Sequence, residues 1–367
     1  MNCIKKITSL ALLTVVLYSC KQQEKPVTKE EALDFAKQLE RSIYKKDEKL
    51  LDNAIDIKEL LRKTAITKKE SELESFANGM GKSMRLGSKI IESIGKTGLY
   101  QFVRQYEKEK VQHIIFRLFS DNGLNYHDYQ LTRVKGQVKI DDFFIYLTGE
   151  NFSKTIGDLF IQFSFNKDTR DTETRKDLEN MEQLKKVKDL MESGRNAEAK
   201  KIIDAMPEEI RKGKIVQIYN LKASAELGDE ENTKAINEYQ QLYPNEPNMH
   251  LMLIDVYFTQ KDYSKALESV NKLDSSLGKD PFLDYYRAII SNLLNDKAAA
   301  RKYLEQLNTN IPLFEGGALE LIASYAKTSE FDKAVAVINK LKTNKDFDST
   351  TLNYYYLLYP QLEEKKD

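Results

Sequence analysis

From residue 176 to the end, apolar positions recur at helical spacing, and one unit of that pattern returns five times. Alanines fall at Ala199, Ala235, Ala266, Ala300 and Ala334, separated by 36, 31, 34 and 34 residues. Four and seven positions after each come Ile203 and Met206, Tyr239 and Leu242, Val270 and Leu273, Leu304 and Leu307, Ile338 and Leu341. That is one stripe of a helix facing a core. A small residue at the head of the stripe lets this helix cross its partner closely. Polar or proline-bearing turns separate the units, as at Ser193-Gly194-Arg195, Gln260-Lys261-Asp262, Tyr243-Pro244, Asp280-Pro281 and Ile311-Pro312. The Gly228-Asp229 turn carries extra residues before Ala235, and the fourth unit has only Asn295-Asp296 as its turn. Thr351 to Leu362, with Tyr354, Tyr355, Tyr356 and Tyr359, reads as a helix capping the last apolar face.

The first half mixes periods. Residues 29–108 predict three helical stretches, with Leu33, Ala36, Leu39, Ile43, Leu50 and Leu51 on one face and a capping box formed by Thr28 and Glu31. The period then shortens. Gln112 to Ser120, Asn125 to Val134 and Val138 to Thr148 predict three antiparallel strands, joined at Asp121-Asn122-Gly123 and Lys135-Gly136. The expected architecture is mostly α: a small α+β domain over residues 29–165, a linker over 166–175, and an α-solenoid of about five helical hairpins plus a capping helix over 176–367. Glycines between Gly79 and Gly98 mark residues 79–98 as an interruption between helices.

The opening residues have a different purpose. Lys5 and Lys6 precede an apolar run from Ile7 to Leu17, which is too short to span a bilayer. Cys20 follows Leu17-Tyr18-Ser19, and the whole resembles a bacterial lipoprotein signal peptide over residues 1–19. That resemblance implies cleavage before Cys20, lipid on its thiol, and a tether over residues 20–28. Lys21 stands where aspartate often retains such proteins at the inner membrane, so the expected site is the outer membrane, facing the periplasm. With Cys3 removed and Cys20 acylated, no thiol is left for a disulfide, a metal or nucleophilic catalysis.

Charge and motifs exclude several classes of function. The chain has 57 basic and 57 acidic residues, without the basic footprint of a nucleic-acid binder. Gly81-Lys82-Ser83 and Gly95-Lys96-Thr97 imitate the end of a phosphate-binding loop, but Phe76 and Ile90 stand where the motif needs glycine, so no nucleotide is expected. His113 and His127 fall on neighbouring strands and can approach each other, while His250 lies far off in the repeats; none has metal-ligand spacing. Asp142 and Tyr146 share a face of a regular strand, with Asp141 on the other, and adjacent acids on a surface sheet are solvated. No nucleophile-elbow motif occurs. These readings imply no cofactor and no enzyme.

The recurring unit resembles the tetratricopeptide repeat, whose period is about 34. The helix-then-strand half, with Asp141-Asp142-Phe143-Phe144-Ile145-Tyr146 at its close, resembles NTF2-like or cystatin-like domains found beside such repeats in Bacteroidetes lipoproteins. The repeat resemblance implies a concave face lined by first helices, where peptides or partner helices dock. It places Tyr219, Asn248, Asp255, Phe258, Tyr285 and Asn292 on that face. The implied function is a lipid-anchored envelope scaffold that binds a protein or peptide partner. Rival expectations are a nutrient-capture lipoprotein of the starch-binding type, disfavoured by the absence of tryptophan, and small-ligand binding in a cone-shaped pocket of the NTF2-like domain.

Overall fold

The computed structural model describes residues 24–64, 70–83, 85–121, 123–157, 172–244 and 246–364. The signal, Cys20 and residues 166–171 of the expected linker lie outside the described residues. Helix α1, Lys29–Tyr44, starts with the expected capping box: Glu31 N–H donates to Thr28 Oγ1 at 3.3 Å and Thr28 N–H to Glu31 Oε2 at 2.8 Å. Its buried stripe is Ala32, Phe35, Ala36, Leu39 and Ile43, and Leu33 sits half-buried at the edge. Four shorter helices follow: α2 Lys49–Ala54, α3 Ile57–Arg62, α4 Glu70–Ser83 and α5 Leu86–Ile94.

The reading of residues 29–108 as helical runs too far, because Leu99–Lys108 is strand β1. It pairs antiparallel with β2, Val111–Ser120, and the register slips between Phe102 and Arg104. That bulge places two consecutive residues opposite one, which erases the period-two pattern a sequence reading needs. Strands β3 Gly123–Val134, β4 Gln137–Ile145 and the two-residue β5 Glu150–Asn151 complete a meander in sequence order. Two of its hairpin turns, Glu109-Lys110 and Lys135-Gly136, carry both central residues at positive φ, matching the twist of the flanking strands.

The expected interruption at residues 79–98 is helical over much of its length: Gly79 and Gly81 lie within α4 and Gly87 within α5. Gly87 is there for closeness. A Cβ on it would stand 2.7 Å from the Glu48 carbonyl oxygen, and the Gly87 N–H donates to Asp52 Oδ1 at 2.8 Å. Gly87→Ala is expected to lower unfolding stability by about 1–3 kcal/mol through overpacking, measured by urea titration. An unchanged midpoint would show that α2 and α5 can separate freely.

The helical array begins with α6 Thr172–Glu192 and α7 Asn196–Ala205, followed by the short α8 Glu208–Arg211. Four further hairpins are α9 Lys214–Ala225 with α10 Asp229–Leu242, α11 Met249–Thr259 with α12 Tyr263–Leu277, α13 Leu283–Leu293 with α14 Lys297–Asn310, and α15 Glu315–Lys327 with α16 Phe331–Leu341. A turn and α17 Asn353–Leu358 with α18 Gln361–Glu364 close the end. All five alanines of the repeat are buried, and so is every stripe residue except the half-buried Leu242. Each intra-hairpin turn holds one residue at positive φ: Gly194, Gly228, Lys261, Asn295 and Ser329. The fold is therefore mostly α, a TPR-like solenoid preceded by an α+β unit with an antiparallel sheet.

The sheet is covered on both faces. One face carries Tyr100, Ile114, Phe116, Tyr129, Ile140 and Phe143 into a core with α1 to α5. The other carries Ile115, Leu124, Tyr126 and Tyr146 into a core with residues of α11 to α14.

Candidate functional site

Part of the surface expected to hold a partner packs against the chain's own sheet. Phe119 of β2 packs on Phe282 at 4.9 Å, Phe314 at 5.5 Å and Tyr285 at 6.1 Å between ring centroids. Beside this aromatic cluster Arg117 pairs with Asp280, with only 3% and 1% of the two side chains exposed. Asp280 also accepts from the Tyr126 hydroxyl at 2.8 Å and from the Phe282 N–H at 3.1 Å. The Arg117 guanidinium lies 4.3 Å over the Phe282 ring and donates to Gln101. Burial, then the neighbouring Asp280 charge, pushes the Tyr126 phenol well above its ordinary range. The network continues into the array, where Asp280 N–H donates to Asp274 and Arg287 bonds Asp274, Asp284 and Asn271.

A second polar cluster sits further along the same sheet face. Tyr106 donates its hydroxyl proton to Asp128, and His113 Nδ1 lies 3.1 Å from the other Asp128 oxygen. The Tyr106 and His113 rings stack at 4.8 Å, and the Arg104 guanidinium lies 4.7 Å over Tyr106. Desolvation raises the Tyr106 phenol, and Asp128 raises it further. The bulge in β1 aims Arg104 at the array, against Gly278, which caps α12 in the left-handed region at φ 73. A cation there meets the negative end of the α12 dipole. An imidazole held by a carboxylate can orient a proton transfer, but among the described residues no serine, threonine or cysteine nucleophile hydrogen-bonds to this trio.

The six residues expected on the concave face divide by position. Asn248 is buried: it accepts from the Tyr239 hydroxyl at 3.3 Å, and Gly149 of the β4–β5 turn presses on its amide. Tyr285 belongs to the aromatic seam, and Phe258 packs half-buried against the same core. Tyr219 and Asn292 serve their own neighbourhoods instead. Tyr219 packs in the core formed by the first hairpin with α9, and Asn292 accepts from Lys297 at 3.4 Å. Only Asp255 stays exposed. Partial desolvation by its neighbours raises its carboxyl from the ordinary value, with Lys222 opposing.

Other expectations change for the same reason. His113 and His127 do not approach each other, because they occupy opposite faces of the sheet, opposite Gln130 and Phe116 respectively. His127 is buried under the helix layer beside the Tyr100 hydroxyl at 3.1 Å, and Tyr100 and Tyr129 share a 2.5 Å hydrogen bond. Desolvation pushes His127 down to about 4. The interior of the expected cone is thus filled by Tyr100, Phe116, Tyr129 and Phe143. Asp141 and Asp142 are not solvated: Asp141 pairs with Lys63 at 3.0 Å, and the buried Asp142 accepts from Ser153 N–H and Oγ at 3.0 and 2.8 Å.

No protein-family model matches the chain, and no curated protein matches it in sequence. The sequence reading missed the residues that matter most in the seam, Arg117, Tyr126 and Asp280. One signal pointed to them. The run His113-Ile-Ile-Phe-Arg-Leu-Phe119 is apolar at both parities, as a strand buried on both faces requires.

Proposed function

We propose that the chain is a lipid-anchored scaffold of the cell envelope, held at the outer membrane through Cys20 and facing the periplasm, that binds a protein or peptide partner on its helical array without a reaction of its own. The observation that carries the binding role is the array's closing helix. There Tyr354 is 63% exposed, Leu357 80% and Leu358 50%, while Tyr356 of the same turn is buried in the core. Large apolar side chains clustered on a surface otherwise rich in charge mark a protein-docking area. The sheet packs on residues of α11 to α14, whereas the closing helix leaves these side chains free of it. The resemblance to tetratricopeptide-repeat lipoproteins supports the same reading.

Site-specific photo-crosslinking in intact cells tests the docking area. A probe at position 357 is expected to give a discrete protein adduct that a probe at Lys201, exposed on α7, does not give and that Leu358→Glu abolishes. Identical patterns from both probes, or no adduct, overturn it. The anchor is tested separately: Cys20→Ala is expected to release the chain from membranes, and retention at the wild-type level overturns the lipid reading.

A further inference from the structure

Residues 20–28 are expected as a loose tether, yet the lead is docked from Glu24 onward. Arg133 Nε donates to the Lys25 carbonyl at 2.8 Å, and another Arg133 nitrogen reaches the Pro26 carbonyl at 3.4 Å and Glu31 at 2.6 Å. Gly136 N–H donates to Glu24 Oε1 at 3.3 Å, and Val27 is buried in the core beneath α1. The chain therefore leaves the folded body beside the β3–β4 turn. From the Cα of Cys20 to that of Glu24 is four residue steps, which span at most about 14 Å however the chain runs. An acyl group on Cys20 must hold this end of the sheet against the bilayer surface.

The same end carries a group of exposed lysines. The β1–β2 turn, Glu109-Lys110, lies beside the β3–β4 turn, Lys135-Gly136, because both close antiparallel hairpins of one meander at the same end. Lys25, Lys108, Lys110 and Lys135 are all exposed and form no ion pair among the described residues, with exposed Glu24, Glu107 and Glu109 as the acidic neighbours. We infer that this turn end of the sheet is the membrane-apposed face, and that its lysines contact anionic lipid headgroups. The array's partner-facing end and the β2–β3 turn then point away from the bilayer. The inference rests on the lipid reading of Cys20.

The absence of other thiols in the anchored chain makes the test direct. Single cysteines at Lys110 and Asp121, which lie at opposite ends of β2, are labelled with a donor fluorophore. The lipidated full-length protein is then reconstituted in phosphatidylethanolamine and phosphatidylglycerol vesicles carrying an acceptor on the headgroup. Ten residues of strand separate the two labels by about 30 Å, so energy transfer is expected to be several-fold stronger from position 110. Equal transfer, or stronger transfer from position 121, overturns the orientation while leaving the anchor intact. If a Cys20→Ser chain stays on the vesicles as fully as the lipidated chain at physiological ionic strength, where lysine–headgroup attraction is screened, the anchor itself fails. For the headgroup contact, the Cys20→Ser chain is sedimented with the same vesicles at low ionic strength, with and without Lys25→Glu, Lys110→Glu and Lys135→Glu. The reversed chain is expected to bind more weakly by at least about 5-fold per lysine. Absent or unchanged binding overturns that contact.

Discussion

Asp280→Ala is expected to lower unfolding stability by about 3–5 kcal/mol. The carboxylate is the common acceptor for Arg117, the Tyr126 hydroxyl and the Phe282 N–H, all within a core closed by Phe119, Phe282 and Phe314. Its removal strands a guanidinium with almost no solvent contact, whose Nε already has no partner. The cost is the desolvation of that charge, far above what an exposed pair contributes. Urea unfolding measures it, and the double variant Arg117→Leu with Asp280→Leu checks the cause. Because no charge is then stranded, the double variant is expected to lose less than Asp280→Ala alone. A loss under about 1 kcal/mol for Asp280→Ala would place the pair with the surface ion pairs and mean that water reaches the seam.

Acid is expected to weaken the fold through His127 before the carboxylates titrate in bulk. Folded, its imidazole is held down to about 4 by burial among Tyr100, Tyr129, Asn125 and Phe143; unfolded, it returns to 6.5. Between those values the unfolded chain binds a proton that the folded chain refuses, so stability is full above the unfolded value and falls as pH drops through the window. The expected loss from pH 8 to pH 5 is about 2 kcal/mol. Urea midpoints for the wild type and for His127→Gln across that range report it as a difference in slope. His250, also pushed down by burial, is present in both chains and cancels. Parallel slopes would mean that His127 accepts its proton in the folded state, through the Tyr100 hydroxyl or admitted water.

The solenoid was legible because five copies of one crossing repeat the same requirement. Ala199, Ala235, Ala266, Ala300 and Ala334 each need closeness, and the stripe behind each needs burial. No tertiary knowledge is required to see that. Strand β1 was hidden by its bulge, which sends Arg104 to the same face as Ile115 and breaks the alternation. The seam was hidden for another reason. Residues on the inner face of an array look alike whether they await a foreign peptide or cover the chain's own sheet, so Tyr285 and Asn248 gave no hint of their occupant. The decisive contact joins side chains that nothing local relates.

That distance has a consequence for synthesis. Arg117 and Asp280 are 163 positions apart, so a chain made from its amino terminus at about 5–20 residues per second completes the sheet roughly 10–30 s before α13 exists. Throughout that interval Ile115, Phe119, Leu124 and Tyr126 face water, or whatever chaperone shields them. The nascent sheet is a half-finished protein with a sticky side, and the hairpins α11–α12 and α13–α14 act as its lid. A ribosome stalled between β5 and α11 would release a fragment whose finished sheet keeps that apolar face uncovered.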